Sequence, residues 1–202
     1  MRATHRVLLQ IHLEHIDDLN AKITRLDDEI GRLMVHFDTT QALERLDTIP
    51  GVNRVVAEVI LAELGTDMSR FPTAGHAASW AGLAPGKHES AGKNRSGKSP
   101  PGNKYLKVAL VQAAHTVGRS QGHYLAAQYR RLAARRGKKR AAVAVAHSIL
   151  VIAYHILQRG TVYTDLGGDY FDRRNEHYMQ RRLVKRLEQL GYKVTLEPAE
   201  TV

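Results

Sequence analysis

Cysteine is absent from the 202 residues, so neither a disulfide framework nor a thiolate zinc site is possible, and a reducing cytoplasm suits the chain. Tryptophan occurs once, at Trp80, where it is expected to anchor a core. Long apolar runs are also missing. The longest, 141–157, is interrupted by His147, Ser148 and His155 and is short for a bilayer, so it reads as a buried helix with no membrane association. The N-terminus lacks a secretory leader pattern.

Negative charge is the scarcity that matters most. Residues 90–164 contain fourteen Lys/Arg and no Asp or Glu, whereas residues 1–89 hold nine and thirteen and residues 165–202 hold seven and seven. An ordinary solvated surface mixes both signs. A polyanionic partner explains the segregation, and nucleic acid is the first candidate.

The same scarcity excludes several chemistries. A self-sufficient two-metal nuclease needs several carboxylates around ions about 4 Å apart, and only Glu89 lies near the basic segment. No H-E-x-x-H, Walker A or His-hydrophobic-His pattern occurs. Tyr105, Tyr124, Tyr129 and Tyr154 are available as nucleophiles. The His-x-x-Arg set of tyrosine recombinases is missing, however, because His115 and Arg119 are one residue too far apart.

What is present centres on the segment 80–107. From Lys87 to Lys107, six cations (Lys87, Lys93, Arg95, Lys98, Lys104 and Lys107) stand against the single acid Glu89, interleaved with Gly92, Gly97, Gly102, Ser90, Ser96 and Ser99. Glycines let backbone amides turn toward an anion and the cations neutralise it, a composition that suits phosphodiesters; a solvated linker is the alternative. Among the hydroxyls, Ser90 is the candidate nucleophile. Lys87, His88, Lys93 and Arg95 surround it in sequence and would both stabilise its alkoxide and hold the attacked phosphate. A second basic run, residues 119–140, carries eight cations and no acid, among them Arg130, Arg131, Arg135, Arg136, Lys138, Lys139 and Arg140. Phosphate tracking is the reading preferred there over a solvated face.

The periodicities predict a mainly α fold. Ile16, Leu19, Ile23, Leu26, Ile30, Leu33 and Phe37 follow a 3,4,3,4 spacing, with Leu9 ahead of them, which is a coiled-coil seam that pairs either with a second copy or with a helix folded back from the same chain; a single amphipathic helix of a globular body is the alternative. A helix over 41–47, N-capped from Asp38 or Thr39, leads through Ile49-Pro50-Gly51-Val52-Asn53 into a helix over 54–64. This resembles a helix-hairpin-helix, in which Gly51 and Asn53, the latter tolerating positive φ, aim the second helix's amides at a DNA phosphate; an ordinary Pro-Gly turn is the alternative. Thr73 is expected to cap a helix over 74–83. Asn103 starts another with the apolar face Leu106, Leu110, Ala113, Ala114 and Val117. A helix over 124–136 is expected to reach the apolar helix 141–157 through Gly137-Lys138-Lys139-Arg140. An amphipathic helix over 178–190 and a strand over 192–196 complete the reading. The expected organisation is a coiled-coil helix over 1–40, a compact helical domain over 41–160 and an appendage over 161–202.

Read in order, Ile-Pro-Gly-Val (49–52), Ala-Glu-Leu-Gly (62–65), Phe-Pro-Thr-Ala (71–74), Ala-Gly-Leu-Ala-Pro-Gly (81–86), Glu-Ser-Ala-Gly-Lys (89–93) and Gly-Asn-Lys-Tyr-Leu-Lys (102–107) resemble the C-terminal half of bacterial insertion-sequence DEDD transposases, relatives of the pilin-gene invertases, some of which are guided by a bridge RNA. The resemblance runs from about Leu9 to Tyr192. It implies DNA strand exchange and a catalytic serine at Ser90. Its partner would be a resolvase-like domain whose four acids bind Mg²⁺. That domain does not fit within this sequence, so the chain is expected to be a truncated or separately encoded half that binds no cofactor itself. DNA, a guide RNA, a second copy and a resolvase-like domain in trans are the implied partners. The competing expectation is a nucleic-acid-binding module with no chemistry of its own.

Overall fold

The computed structural model describes residues 3–36, 39–86, 88–90, 93–96, 99–174 and 176–196. The mainly α fold expected from the sequence is what forms. Among the described residues the order is α1 (Ala3–His36), α2 (Thr40–Asp47), α3 (Arg54–Leu64), a 3-10 turn (Met68–Arg70), α4 (Ala74–Trp80), strands β1 (His88–Ser90) and β2 (Lys93–Ser96), α5 (Lys104–Arg119), α6 (Tyr124–Arg136), α7 (Lys138–Arg159), α8 (Tyr170–Arg174) and α9 (Glu176–Gln189).

The apolar helix α7 is the centre of the body, with α4, α5 and α6 packed around it. Its Ala141, Ala142, Val145, Ala146, Ile149, Leu150, Ala153 and Tyr154 are buried, so a helix long and apolar enough for a membrane instead serves as a core. The expected face of α5 is buried throughout, and truncating one such leucine, for example Leu110→Ala, would cost about 2–5 kcal/mol. Small residues bring α5 and α6 close. A Cβ on Gly118 would lie 2.8 Å from the ring of Tyr129.

Local chemistry sets most helix ends. Asn53, Thr73 and Asn103 occupy N-cap positions, and their side chains accept from the amides of Val56, His76 and Leu106. Thr39 does not cap α2. Its backbone is already helical, and its hydroxyl donates 2.9 Å back to the carbonyl of Met34, so it closes α1 instead; Asp38 and Phe37 lie outside the described residues. Helix α4 stops at Trp80 rather than at residue 83, because Gly82 takes φ 69°. The basic tripeptide Lys138–Arg140 belongs to the first turn of α7, so the only joint with α6 is Gly137 at φ 83°. No strand forms over 192–196, where there is no neighbouring strand to pair with among the described residues.

Two expectations about side chains also change. Trp80 is 41% exposed and leans on Phe71 with ring centroids 5.7 Å apart, so it caps the core instead of anchoring it. On α1 the seam residues Leu9, Ile16, Leu19, Ile23, Leu26 and Leu33 are all 44–64% exposed. No helix among the described residues folds back over them.

Candidate nucleic-acid interface

The basic segment rises from a closed neck. Gly102 passes so close to Gly82 that a Cβ on it would overlap the Gly82 backbone. Beside this crossing the amide of Asn103 donates to the Trp80 carbonyl at 3.1 Å. The Asn103 side chain bridges downward to Glu63 on α3 at 2.5 Å. Lys107 ties both sides of the neck, its ammonium donating to the Gly82 carbonyl at 2.9 Å and to the Ser99 hydroxyl at 3.2 Å. Lys107, expected among the phosphate contacts, is therefore half-buried and engaged within the protein.

Above the neck the chain forms an antiparallel hairpin within the segment whose composition suggested a basic Gly- and Ser-rich loop. His88 pairs with Ser96, Glu89 with Asn94 and Ser90 with Lys93, and the register shifts between His88 and Glu89. Ser90 is thus the last position of β1, and Lys93 and Arg95 lie on β2. Lys87 and Lys98 lie outside the described residues. Lys104, in the first turn of α5, is exposed beside Tyr105, which is 73% exposed.

The second basic run divides into two kinds of cation. Arg130 donates to the Ser120 carbonyl at 2.9 Å, and Arg131 stands 5.0 Å from the ring of Phe171. Arg135, Arg136, Lys138, Lys139 and Arg140 form an exposed elbow around Gly137, and none pairs with a carboxylate among the described residues. Three of these cations sit at the N-terminus of α7, against the helix dipole, where a bound anion would compensate them.

The turn between α2 and α3 is built differently from the expected hairpin. Gly51 has φ 86° and faces α5, where a Cβ would fall 2.6 Å from the Ala113 carbonyl. Asn53 has φ −102°, ordinary extended backbone, and spends its side chain on capping α3. The positive φ expected at Asn53 is absent. Of the four tyrosines, Tyr129 and Tyr154 are buried, with hydroxyls engaged by His115 at 3.2 Å and by the Phe71 carbonyl at 2.8 Å.

These elements lie in a segment that comparison with known proteins recognises. Residues 43–130 match the transposase IS116/IS110/IS902 family. The matched segment runs from α2 into α6; it includes the neck and the hairpin and stops before the cationic elbow. A probable family 20 transposase of Pseudomonas aeruginosa is 31% identical over 160 residues, which are 77% of this chain and 46% of that protein. The pilin gene-inverting protein of Moraxella bovis is 32% identical over 167 residues, covering 77% of this chain and 51% of that protein. The transposase for insertion sequence element IS1328 of Yersinia enterocolitica is 28% identical over 163 residues, covering 79% and 47%. The chain spans about half the length of the curated relatives it matches.

One contact across the body had no signal in sequence. Asp165 accepts from the amide of Tyr124 at 3.0 Å and from that of Gly167 at 2.6 Å, and its other oxygen lies 3.3 Å from His123. It thereby caps α6 from 41 residues away. Burial alone would raise its pKa, but the two amides and His123 outweigh that and hold the carboxyl below its ordinary value.

Proposed function

We propose that this chain is the DNA-binding, serine-bearing part of an insertion-sequence transposase, and that Ser90 is the nucleophile of strand cleavage and exchange. The observation that carries the reading is the position of Ser90 at the end of β1, on a hairpin raised from a rigid neck within the segment matched to transposases. In the step proposed, the Ser90 oxygen attacks a backbone phosphorus. One P–O bond to the enzyme forms, one P–O bond to a sugar breaks, and the serine proton leaves as the departing sugar oxygen gains one. Lys93 and Arg95 on β2, with Lys87 and Lys98, would hold the attacked phosphate. The elbow at Gly137 and Lys104 would grip the flanking duplex, while Arg130 and Arg131 are engaged by the Ser120 carbonyl and the Phe171 ring and Gly51 and Asn53 shape the turn before α3. The proposed setting is cytoplasmic, and a guide RNA would use the same cationic surface.

The Mg²⁺ that the resemblance implies does not fit here. The described residues contain no group of three or more His, Asp or Glu able to hold a metal ion. No step is therefore routed through it, and a resolvase-like domain would supply its ligands. A second reading is a nucleic-acid-binding module without chemistry, supported by the cations of residues 90–164, among which no Asp or Glu occurs.

The deciding experiment mixes the chain with such a domain, Mg²⁺ and labelled DNA and looks for an adduct that survives denaturation. Ser90→Ala should abolish the adduct while binding persists, with Ser96→Ala and Ser99→Ala as controls. Loss at Ser96 would move the nucleophile; an adduct in none of the mixtures would favour the binding module.

A further inference from the structure

A cavity of about 510 Å³ lies between α7 and the segment 161–166 that crosses it. Its walls are mostly apolar and include the aliphatic side chains of Val151 and Ile152 and the aromatic rings of Tyr124 and Tyr163. Two imidazoles, His147 and His155, complete the lining, and the Nδ1 atom of His155 is buried without a hydrogen-bond partner among the described residues. Leaving such an atom unsatisfied would cost stability, so a hydrogen-bonding group of a ligand or a water is expected to meet it.

The charges restrict what that partner is. No carboxylate lines the cavity itself, though Asp165 stands behind two of its lining residues, beside the Tyr163 hydroxyl and on the Tyr124 amide, and Arg159 does line it. Tyr124, on the cavity wall, also stacks on Phe171 with ring centroids 5.3 Å apart and planes 22° apart, and Arg131 lies over the Phe171 ring. An aliphatic ligand would fill the walls but leave His155 unpaired. A bare anion would meet Arg159 but leave the apolar walls wet, and a cation would be repelled. A planar heterocycle carrying an anionic group satisfies all three features, and the volume lies within the usual range for a small-molecule pocket.

We propose that this cavity receives the unstacked base of one nucleotide, its phosphate meeting Arg159 at the rim. When the nucleotide belongs to a bound strand, the inference rests on the nucleic-acid reading above; a free mononucleotide has the same chemistry. His147 is held neutral near physiological pH by its burial, which leaves its ring free to face a base without a charge penalty.

The test uses the full chain and three duplexes: fully paired, with one unpaired 2-aminopurine, and with an abasic residue at that position. The unpaired base should tighten binding about fivefold to a hundredfold over the abasic duplex, with quenched fluorescence. His155→Leu removes an unpaired buried nitrogen and should melt no lower than the parent while losing that preference and keeping its affinity for the paired duplex. Val151→Phe fills the cavity and should do the same should His155→Leu misfold. Equal affinity for the base-bearing and abasic duplexes would overturn the cavity assignment and leave nucleic-acid binding standing. No binding to any duplex would sink the nucleic-acid reading. In that case quenching of free 2-aminopurine ribonucleoside monophosphate, abolished by His155→Leu, would keep the cavity as a mononucleotide site, and its absence would reject both.

Discussion

Lys107, in the first turn of α5, donates a 2.9 Å hydrogen bond from its ammonium to the carbonyl oxygen of Gly82, twenty-five residues earlier. A basic residue in a basic segment is thereby committed to bracing the neck beneath Ser90. Lys107→Met would leave the Gly82 carbonyl and the Ser99 hydroxyl without this donor and should lower unfolding free energy by about 1–2 kcal/mol. Trp80, the only tryptophan and a direct hydrogen-bond partner of the neck, offers the readout: its emission should shift in the variant. The salt slope of DNA binding should stay within one phosphate of the parent's. A slope reduced as far as by Lys104→Met would show that Lys107 reaches phosphate instead.

The cationic elbow gives the second expectation. Replacing Arg135, Arg136, Lys138, Lys139 and Arg140 with glutamine should weaken binding to all sequences alike and reduce the slope of log K against log salt by about 0.9 for each phosphate no longer neutralised. The parent, if it neutralises five phosphates, should drop by about two to three orders of magnitude in affinity between about 50 and about 200 mM salt. Because Lys138, Lys139 and Arg140 oppose the α7 dipole, thermal melting of the free variant should hold or rise. Filter binding across salt concentrations checks the first effect and calorimetry the second.

Self-association through α1 is the third. Its exposed seam points to a second copy as the missing cover, since no helix among the described residues supplies one. Sedimentation should show an oligomer for the parent and a monomer for Ile23→Asp, with unchanged melting of the helical body. A monomeric parent would reject the seam as an interface.

Acid sensitivity follows from His147. Burial lowers its pKa below the ordinary 6.5, so the unfolded chain binds this proton at higher pH than the folded one. The stability at stake is complete above about 6.5 and is lost as pH falls from there through the folded value. His147→Gln should flatten that part of the stability curve. Asp165, whose folded pKa is also depressed, keeps its contribution until pH falls below the ordinary carboxylate value of about 3.9, so Asp165→Asn should change the curve only in that lower window.

The helices are legible in the sequence because their ends are written locally. Asn53, Thr73 and Asn103 stand where caps are needed, and the bounds of α3 and α6 agree with the sequence reading. The hairpin is not legible, since Ser, Gly, Lys and Asn have little preference for strands and only the closed neck brings β1 and β2 together. Three residues depart from expectation because of neighbours that no local pattern names. Lys107 answers to Gly82, Trp80 to Phe71, and Gly51 to Ala113 on α5. The Asp165 cap on α6 is invisible for the same cause, since in sequence its carboxylate marks only the return of negative charge. Of the candidate site, the cations of the elbow and the place of Ser90 within a basic segment can be read; which cations remain free of internal duties cannot.

The crossing of Gly82 and Gly102 bears on how this molecule can diversify. Chain enters and leaves the hairpin through one gap with no room for a side chain, so residues added between β1 and β2 alter how far the arm reaches without passing through that gap. Loop-closure entropy grows with the logarithm of length, and such drift costs the helical body little. The length of the arm can therefore vary among descendants at little cost to the body beneath it, while Gly82 and Gly102 tolerate no substitute.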